Sequence, residues 1–325
     1  MKYTCPYIHN GLSFEPEGAK CCQSNCIGPL LQKLDKRTKL DIDAQIKKRK
    51  EIIELFNKGE IPDFCMNCYQ IKEIPDDSKE NEKNLDSIDT LFISNWRHCN
   101  CGCVYCVYSH ITKGKHSIFK KKSPYYDVLP HIKELIKKGL INEYSTIFIT
   151  GGECTVLNEF KDIIKLLKNI LKKKITILSS CIDYSKEFEE LIEKDLCEIT
   201  TSIDSGTRET YKKLKRVDKF NQVVKNIKRY REKSPLAANN IILKYIIIKG
   251  INDNEEELFK FLNLANEIGI KRVQLDIDHR KSTVGQIPDY YYKLYDLFTK
   301  KSRELGLSVN SVPQNETYRD KGETF

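Results

Sequence analysis

The sequence predicts an α/β protein organised around parallel strands, and two observations carry that class. Six short apolar runs of strand length occupy residues 91–94, 146–150, 175–179, 198–203, 241–248 and 273–277. Between them lie longer segments whose apolar residues recur at helical period, at 128–140, 160–171, 188–196, 220–230 and 255–268. Strands that alternate with helices in this way pair in parallel through right-handed crossovers. A six-strand open (β/α) barrel and a doubly wound sheet both satisfy the pattern. In either, functional groups collect at the C-terminal ends of the strands.

Taken in order, residues 1–86 are Cys-rich, contain one amphipathic helix over 41–57, and end in a polar stretch, 75–86, with the composition of a linker. The alternating region then runs over 87–285. Its last helix has legible ends. Asn254 can accept from the free amides of the first turn, Glu255 to Glu257 suit the helix dipole, Leu258, Leu262 and Ala265 share a face, and Gly269 stops it. A helix over 291–304 and a tail make a third segment, 286–325.

A chain of 325 residues can bury a sizeable core. No apolar run is long enough to span a bilayer, and Lys244 interrupts the most apolar one. The first thirty residues hold no apolar segment behind a basic start, so a cytoplasmic protein is expected. The net charge of +9 comes from lysines spread over almost every helix, a pattern that solvates exposed faces, so nucleic acid is not the expected partner. The densest basic run, 113–122, has Tyr108, Phe119, Tyr125 and Tyr126 around it and is the local candidate for a basic, aromatic contact surface.

Ten of the thirteen cysteines lie between Cys5 and Cys106, and the total is odd. In a reducing compartment, thiolate ligation of metal explains such clustering better than a disulfide framework. After the first apolar run, Cys99, Cys103 and Cys106 have the spacing C-x3-C-x2-C, with Tyr105 just before the last. Three closely spaced thiolates can hold three irons of a [4Fe-4S] cube and leave the fourth open to a ligand. Structural zinc would want a fourth thiolate, which Cys101 could supply. At the end of the next run stand Thr150, Gly151, Gly152 and Glu153, where glycines permit close backbone approach and a carboxylate can accept from an ammonium. The fourth run ends in Ser202, Ile203 and Asp204, with Lys215 downstream.

Together these residues resemble the radical S-adenosylmethionine (SAM) superfamily over about 89–280. The resemblance implies a partial (β/α)6 TIM-like barrel behind a small N-terminal Cys-rich cluster-binding domain. It implies a [4Fe-4S] cluster on Cys99, Cys103 and Cys106, with Cys101 a non-ligand, whose open iron binds SAM. One electron, from a donor such as flavodoxin or ferredoxin, would cleave SAM to a 5'-deoxyadenosyl radical. Tyr105 takes the motif's aromatic position, and Gly151, Gly152 and Glu153 resemble the turn that contacts the SAM amino group. Ser202 and Asp204 become candidates for the ribose side, and Lys215 for the SAM carboxylate. Cys154 follows Glu153 directly and is a candidate hydrogen-atom donor to a substrate radical.

A second metal site is expected in the first segment. Cys65 and Cys68 form a C-x2-C pair, with Cys5, Cys21 and Cys22 upstream, and four thiolates from separated segments suit an all-cysteine cluster or a zinc ribbon. These residues resemble SPASM or twitch auxiliary-cluster segments, although such modules more often follow the barrel. That resemblance implies a second [4Fe-4S] cluster on Cys5, Cys22, Cys65 and Cys68, with Cys21 or Cys26 as substitutes for Cys22, and with zinc as the alternative. It also points to peptide maturation by crosslinking, epimerisation or oxidation. Modification or oxidation of a sugar or nucleotide-linked sugar in envelope or antibiotic biosynthesis is the second expectation, followed by RNA modification and by a non-enzymatic iron-sulfur or zinc protein.

Overall fold

A computed structural model describes residues 1–23, 28–66, 68, 70–83, 85, 87–106, 126–278 and 288–310. Cys26, the basic run 113–122 with Tyr108, Phe119 and Tyr125, and the tail beyond residue 310 lie outside the described residues. The chain divides into two compact units, Met1–His98 with Lys121–Ile177, and Cys99–Lys120 with Leu178–Phe325.

In the first unit the order is β1 (Lys2–Thr4), α1 (Pro6–Asn10), β2 (Gly11–Glu15), β3 (Gly18–Lys20), β4 (Leu30–Lys33), α2 (Ile42–Asn57) and β5 (Lys72–Ile74). There follow β6 (Thr90–Ile93), α3 (Leu129–Lys137), β7 (Thr146–Ile149), α4 (Phe160–Leu167) and β8 (Ile175–Leu178). As expected, β6, β7 and β8 pair in parallel. Leu91 and Ile93 of β6 and Ile147 and Ile149 of β7 point to the buried face, each burial stabilising by about 1.5–3 kcal/mol. On the opposite face Phe92 stacks on its register partner Phe148, centroids 4.9 Å apart.

The segment before residue 86 is not set apart as a separate domain. Its β2 lies parallel to β6, Gly11 opposite Thr90, and β3 and β4 continue antiparallel from it. Backbone pairing along four residues of β6 explains why the segment is continuous with the sheet. The expected helix is α2, capped by Asp41, whose side chain accepts from Ala44 N at 2.9 Å.

In the second unit the order is α5 (Lys186–Glu193), β9 (Cys197–Ser202), α6 (Arg208–Lys215), α7 (Phe220–Lys233), α8 (Ala237–Asn240), β10 (Ile241–Ile247), α9 (Glu255–Ile268), β11 (Arg272–Ile277), α10 (Asp289–Glu304) and β12 (Ser308–Val309). The strands run β9-β10-β11-β12, all parallel. Leu243, Tyr245 and Ile247 of β10 are buried, and Tyr245 packs on Phe261 of α9, centroids 5.0 Å apart. Helix α9 begins and ends where its sequence signals place it, with the Asn254 side chain accepting from Glu257 N at 3.0 Å. Thus the α/β class with parallel strands stands. Among the described residues no helix is long and apolar enough to cross a membrane.

Candidate functional site

Within the second unit, residues 99–106 are tied to the C-terminal end of α6. The amides of Gly102 and Val104 donate to the carbonyls of Lys215 and Leu214, both at 2.9 Å, satisfying acceptors that a helix end leaves free. The Asn100 side chain accepts from Ser180 Oγ at 2.9 Å and donates to Asp183 at 3.0 Å. Cys99, Cys103 and Cys106 are half-buried, whereas Cys101 is buried and its amide donates to Cys99 Sγ at 3.4 Å. The Cys101 thiol pulls the neighbouring Cys103 down to about 6 against the effect of burial, with the Lys215 ammonium adding to the shift. A lowered value favours the thiolate, the form that ligates metal. This donor set fits a cube held by three cysteines.

Tyr105, Asp204 and Lys215 form one buried network. Lys215 Nζ donates to Asp204 Oδ2 and to the Tyr105 hydroxyl, and that hydroxyl donates to Asp204 Oδ2. Asp204 Oδ1 accepts from Ile246 N at 2.8 Å, and Asp204 O accepts from Asn252 Nδ2 at 2.8 Å. Burial pulls Lys215 down, but the Asp204 carboxylate, with Cys103 adding to it, outweighs burial and holds its pKa above the usual lysine value. The Tyr105 ring packs with Leu214 and Ile248, against which Cys103 and Val104 also lie.

In this structure Asp204 and Lys215 are bonded to each other and to Tyr105. Asp204 is 0% and Lys215 2% exposed, each is the other's charge partner, and the Lys215 carbonyl accepts from Gly102 N of the cysteine loop. Ser202, by contrast, is half-buried at the end of β9 and opposite Lys244 in register.

The Gly151 to Glu153 turn belongs to the first unit. An added Cβ at Gly152 would stand 2.1 Å from the His98 carbonyl oxygen, and Glu153 N donates to that oxygen at 2.7 Å. The close approach that demands glycine here is to the backbone preceding Cys99. Glu153 accepts from Thr155 N at 3.2 Å and Thr155 Oγ1 at 2.8 Å. Cys154 is 0% exposed, and its thiol donates to Glu153 Oε1 at 3.8 Å. A hydrogen-atom donor must reach its substrate, and in this structure the thiol is covered and lies beside Glu153.

The first unit also holds a cavity of about 60 Å³ lined by Cys5, Cys21, Cys22, Cys65 and Cys68 together with apolar side chains. Burial pushes Cys5 up to about 11 and Cys65 up to about 12, and in both Cys22 and Cys68 add to the rise. Cys21 hydrogen-bonds to Cys22, and both line the cavity. Gly28 backs the sulfur closely, since a Cβ there would meet Cys22 Sγ at 2.6 Å. Among the described residues no three His, Cys, Asp or Glu side chains converge tightly enough to hold a single metal ion.

Sequence reasoning passed over one polar surface. Along β10 and β11 of the second unit, Lys244, Gln274 and Asp276 are half-buried on the face opposite the helices. Lys244 pairs with Asp276, and Gln274 donates to Asp276 at 3.3 Å. The signal was the lysine that breaks an otherwise apolar strand, since alternate residues share a face.

Comparison with known proteins decides the family. The radical SAM superfamily profile matches residues 94–262, about half of the chain. The chain belongs to the radical SAM superfamily. It is accordingly an enzyme, and membership implies a [4Fe-4S] cluster, SAM and an electron donor. Among curated radical SAM relatives, a GTP 3',8-cyclase of Petrotoga mobilis is 28% identical over 190 residues, covering 58% of this chain and 56% of the relative. A GTP 3',8-cyclase of Clostridium botulinum is 30% identical over 199 residues, covering 60% and 58%. The matches thus span less than two thirds of those relatives. Among solved structures, Streptococcus suis SuiB superposes with a TM-score of 0.53 at 13% identity, covering 86% of this chain and 56% of that one, a likeness of fold. These relatives overturn the expected peptide maturation and its sugar and RNA alternatives. That expectation rested on resemblance of the cysteine segments, which carry no information about the substrate.

Proposed function

We propose that the chain reductively cleaves SAM at a cluster held by Cys99, Cys103 and Cys106 and abstracts hydrogen from a guanine nucleotide. When bound, the cluster supplies the electron that breaks SAM to a 5'-deoxyadenosyl radical. Glu153 is the candidate contact for the SAM amino group and Ser202 for its ribose. Asp204, Lys215 and Tyr105 hold the cysteine loop. Flavodoxin or ferredoxin is the donor class, and the cytoplasm is the compartment that suits an oxygen-labile thiolate cluster.

The polar row Ser202, Lys244, Gln274 and Asp276 carries the substrate reading, together with the relatives' name. A carboxylate can accept from the paired N–H groups of a guanine edge, and an ammonium can bind phosphate oxygens. The test is 5'-deoxyadenosine formation by anaerobic protein with dithionite and SAM. GTP is expected to stimulate it, and Lys244→Met is expected to weaken that stimulation about tenfold, the worth of one charge-assisted contact. No stimulation by GTP would refute the substrate class.

The N-terminal cavity is the proposed seat of a second cluster on Cys5, Cys22, Cys65 and Cys68, in keeping with the SPASM or twitch resemblance. Thiols distributed around a void suit a polynuclear cluster, whereas one zinc needs all four sulfurs at about 2.3 Å. Cys65→Ala or Cys68→Ala is expected to remove about half of roughly eight irons while SAM cleavage persists uncoupled. Stoichiometric zinc with iron for one cluster alone would replace this reading.

A further inference from the structure

Helix α2 carries a buried cation toward the same cavity. Arg49, Ile52 and Phe56 follow one another at helical spacing, all three are buried, and Ile52 and Phe56 line the void with the cysteines. Arg49 donates to the carbonyl oxygens of Tyr7 at 3.1 Å and Ile8 at 2.7 Å, and to that of Gly11. These acceptors satisfy its N–H groups but bring only partial charge. Among the described residues no carboxylate pairs with it, and the ionisable groups that favour its charged form are Cys21 and Cys22. A buried guanidinium without a counter-charge costs several kcal/mol. Four thiolates around an iron-sulfur cube leave a net negative charge beside it.

We propose that Arg49 is the counter-cation of an anionic cluster in the N-terminal cavity and raises that cluster's reduction potential. The inference rests on the second-cluster reading above. Reduction adds negative charge, so a fixed cation favours the reduced state, and its loss lowers the potential. This suits a cluster that receives an electron within the enzyme rather than one that must deliver a strongly reducing electron to SAM.

The test compares wild type, Arg49→Lys and Arg49→Gln, each reconstituted anaerobically and titrated with dithionite under EPR. The SAM-binding cluster is identified by the change in its signal on SAM addition, and the other signal is followed. Arg49→Gln is expected to lower the reduced-to-oxidised ratio about tenfold at fixed potential, ~59 mV for a one-electron couple. Arg49→Lys, which keeps the charge but not the planar fork, is expected to stay close to wild type. If Arg49→Gln cannot retain the iron and Arg49→Lys can, the charge is again what holds the cluster. Equal potentials in all three proteins, or equal loss in both variants, would overturn the proposal and leave Arg49 as a clamp on the end of α1. Wild type with iron for one cluster alone would instead refute the second cluster itself.

Discussion

Replacing Cys99, Cys103 and Cys106 together by alanine is expected to reduce 5'-deoxyadenosine formation to the level of dithionite and SAM without protein. The three thiols are half-buried on one loop whose amides are pinned to the end of α6, so the loop keeps its backbone anchors in the variant. What disappears is the donor set, and neither Cys101 nor the buried Cys154 can replace it. Cys101 is buried, and one thiolate cannot hold a cube. Iron belonging to the N-terminal cavity should remain, since its ligands are separate residues. 5'-Deoxyadenosine formation above background in the triple variant would reject the ligand assignment.

Asp204→Asn is expected to cost about 3–5 kcal/mol, the range for removing one partner of a buried ion pair. The substitution leaves the Lys215 ammonium buried and faces it with an amide, while Tyr105 loses its charged acceptor. Because Gly102 and Val104 hang on the carbonyls of Lys215 and Leu214, cluster retention should fall with stability. The double variant Asp204→Asn, Lys215→Met should recover much of the loss, since no charge is then stranded. Urea unfolding of the four proteins measures the cycle.

The pH dependence has a definite sign. In wild type the Lys215 pKa lies above its ordinary value of 10.5, so its contribution is fully present below that value and is lost only at higher pH. Between neutrality and mild alkali the wild-type contribution is flat. In Asp204→Asn burial dominates and lowers the Lys215 pKa, so the variant gains stability as pH rises and its deficit narrows. A deficit that widens with pH would contradict the buried-pair account.

The sequence carried the alternation of strands and helices, the boundaries of α9 and the C-x3-C-x2-C spacing of Cys99, Cys103 and Cys106, because each is encoded by neighbours in the chain. Helix α6 escaped notice: its eight residues RETYKKLK are mostly charged, and it forms because Thr207 caps it and Tyr211 and Leu214 are buried. The N-terminal strands are three to five residues long, too short for a period-2 signal to register. Asp204 and Lys215 were legible as polar residues near a strand end, but their mutual pairing depends on a tertiary contact with Tyr105, 99 positions from Asp204. Arg49 looked like one more basic residue of a solvated helix until its burial was visible. Peptide maturation was inferred from cysteine pattern alone, and a cluster-binding pattern is shared by enzymes with unrelated substrates.

The most direct test of the account is the EPR spectrum of the anaerobically reconstituted, reduced wild-type protein with and without SAM. A cube on Cys99, Cys103 and Cys106 has one iron free of protein, so SAM should change one [4Fe-4S] signal and leave the other untouched. Replacing the three cysteines should remove the SAM-sensitive signal alone. A spectrum that SAM does not alter, or a SAM-sensitive signal that survives in the triple variant, would contradict the central claim.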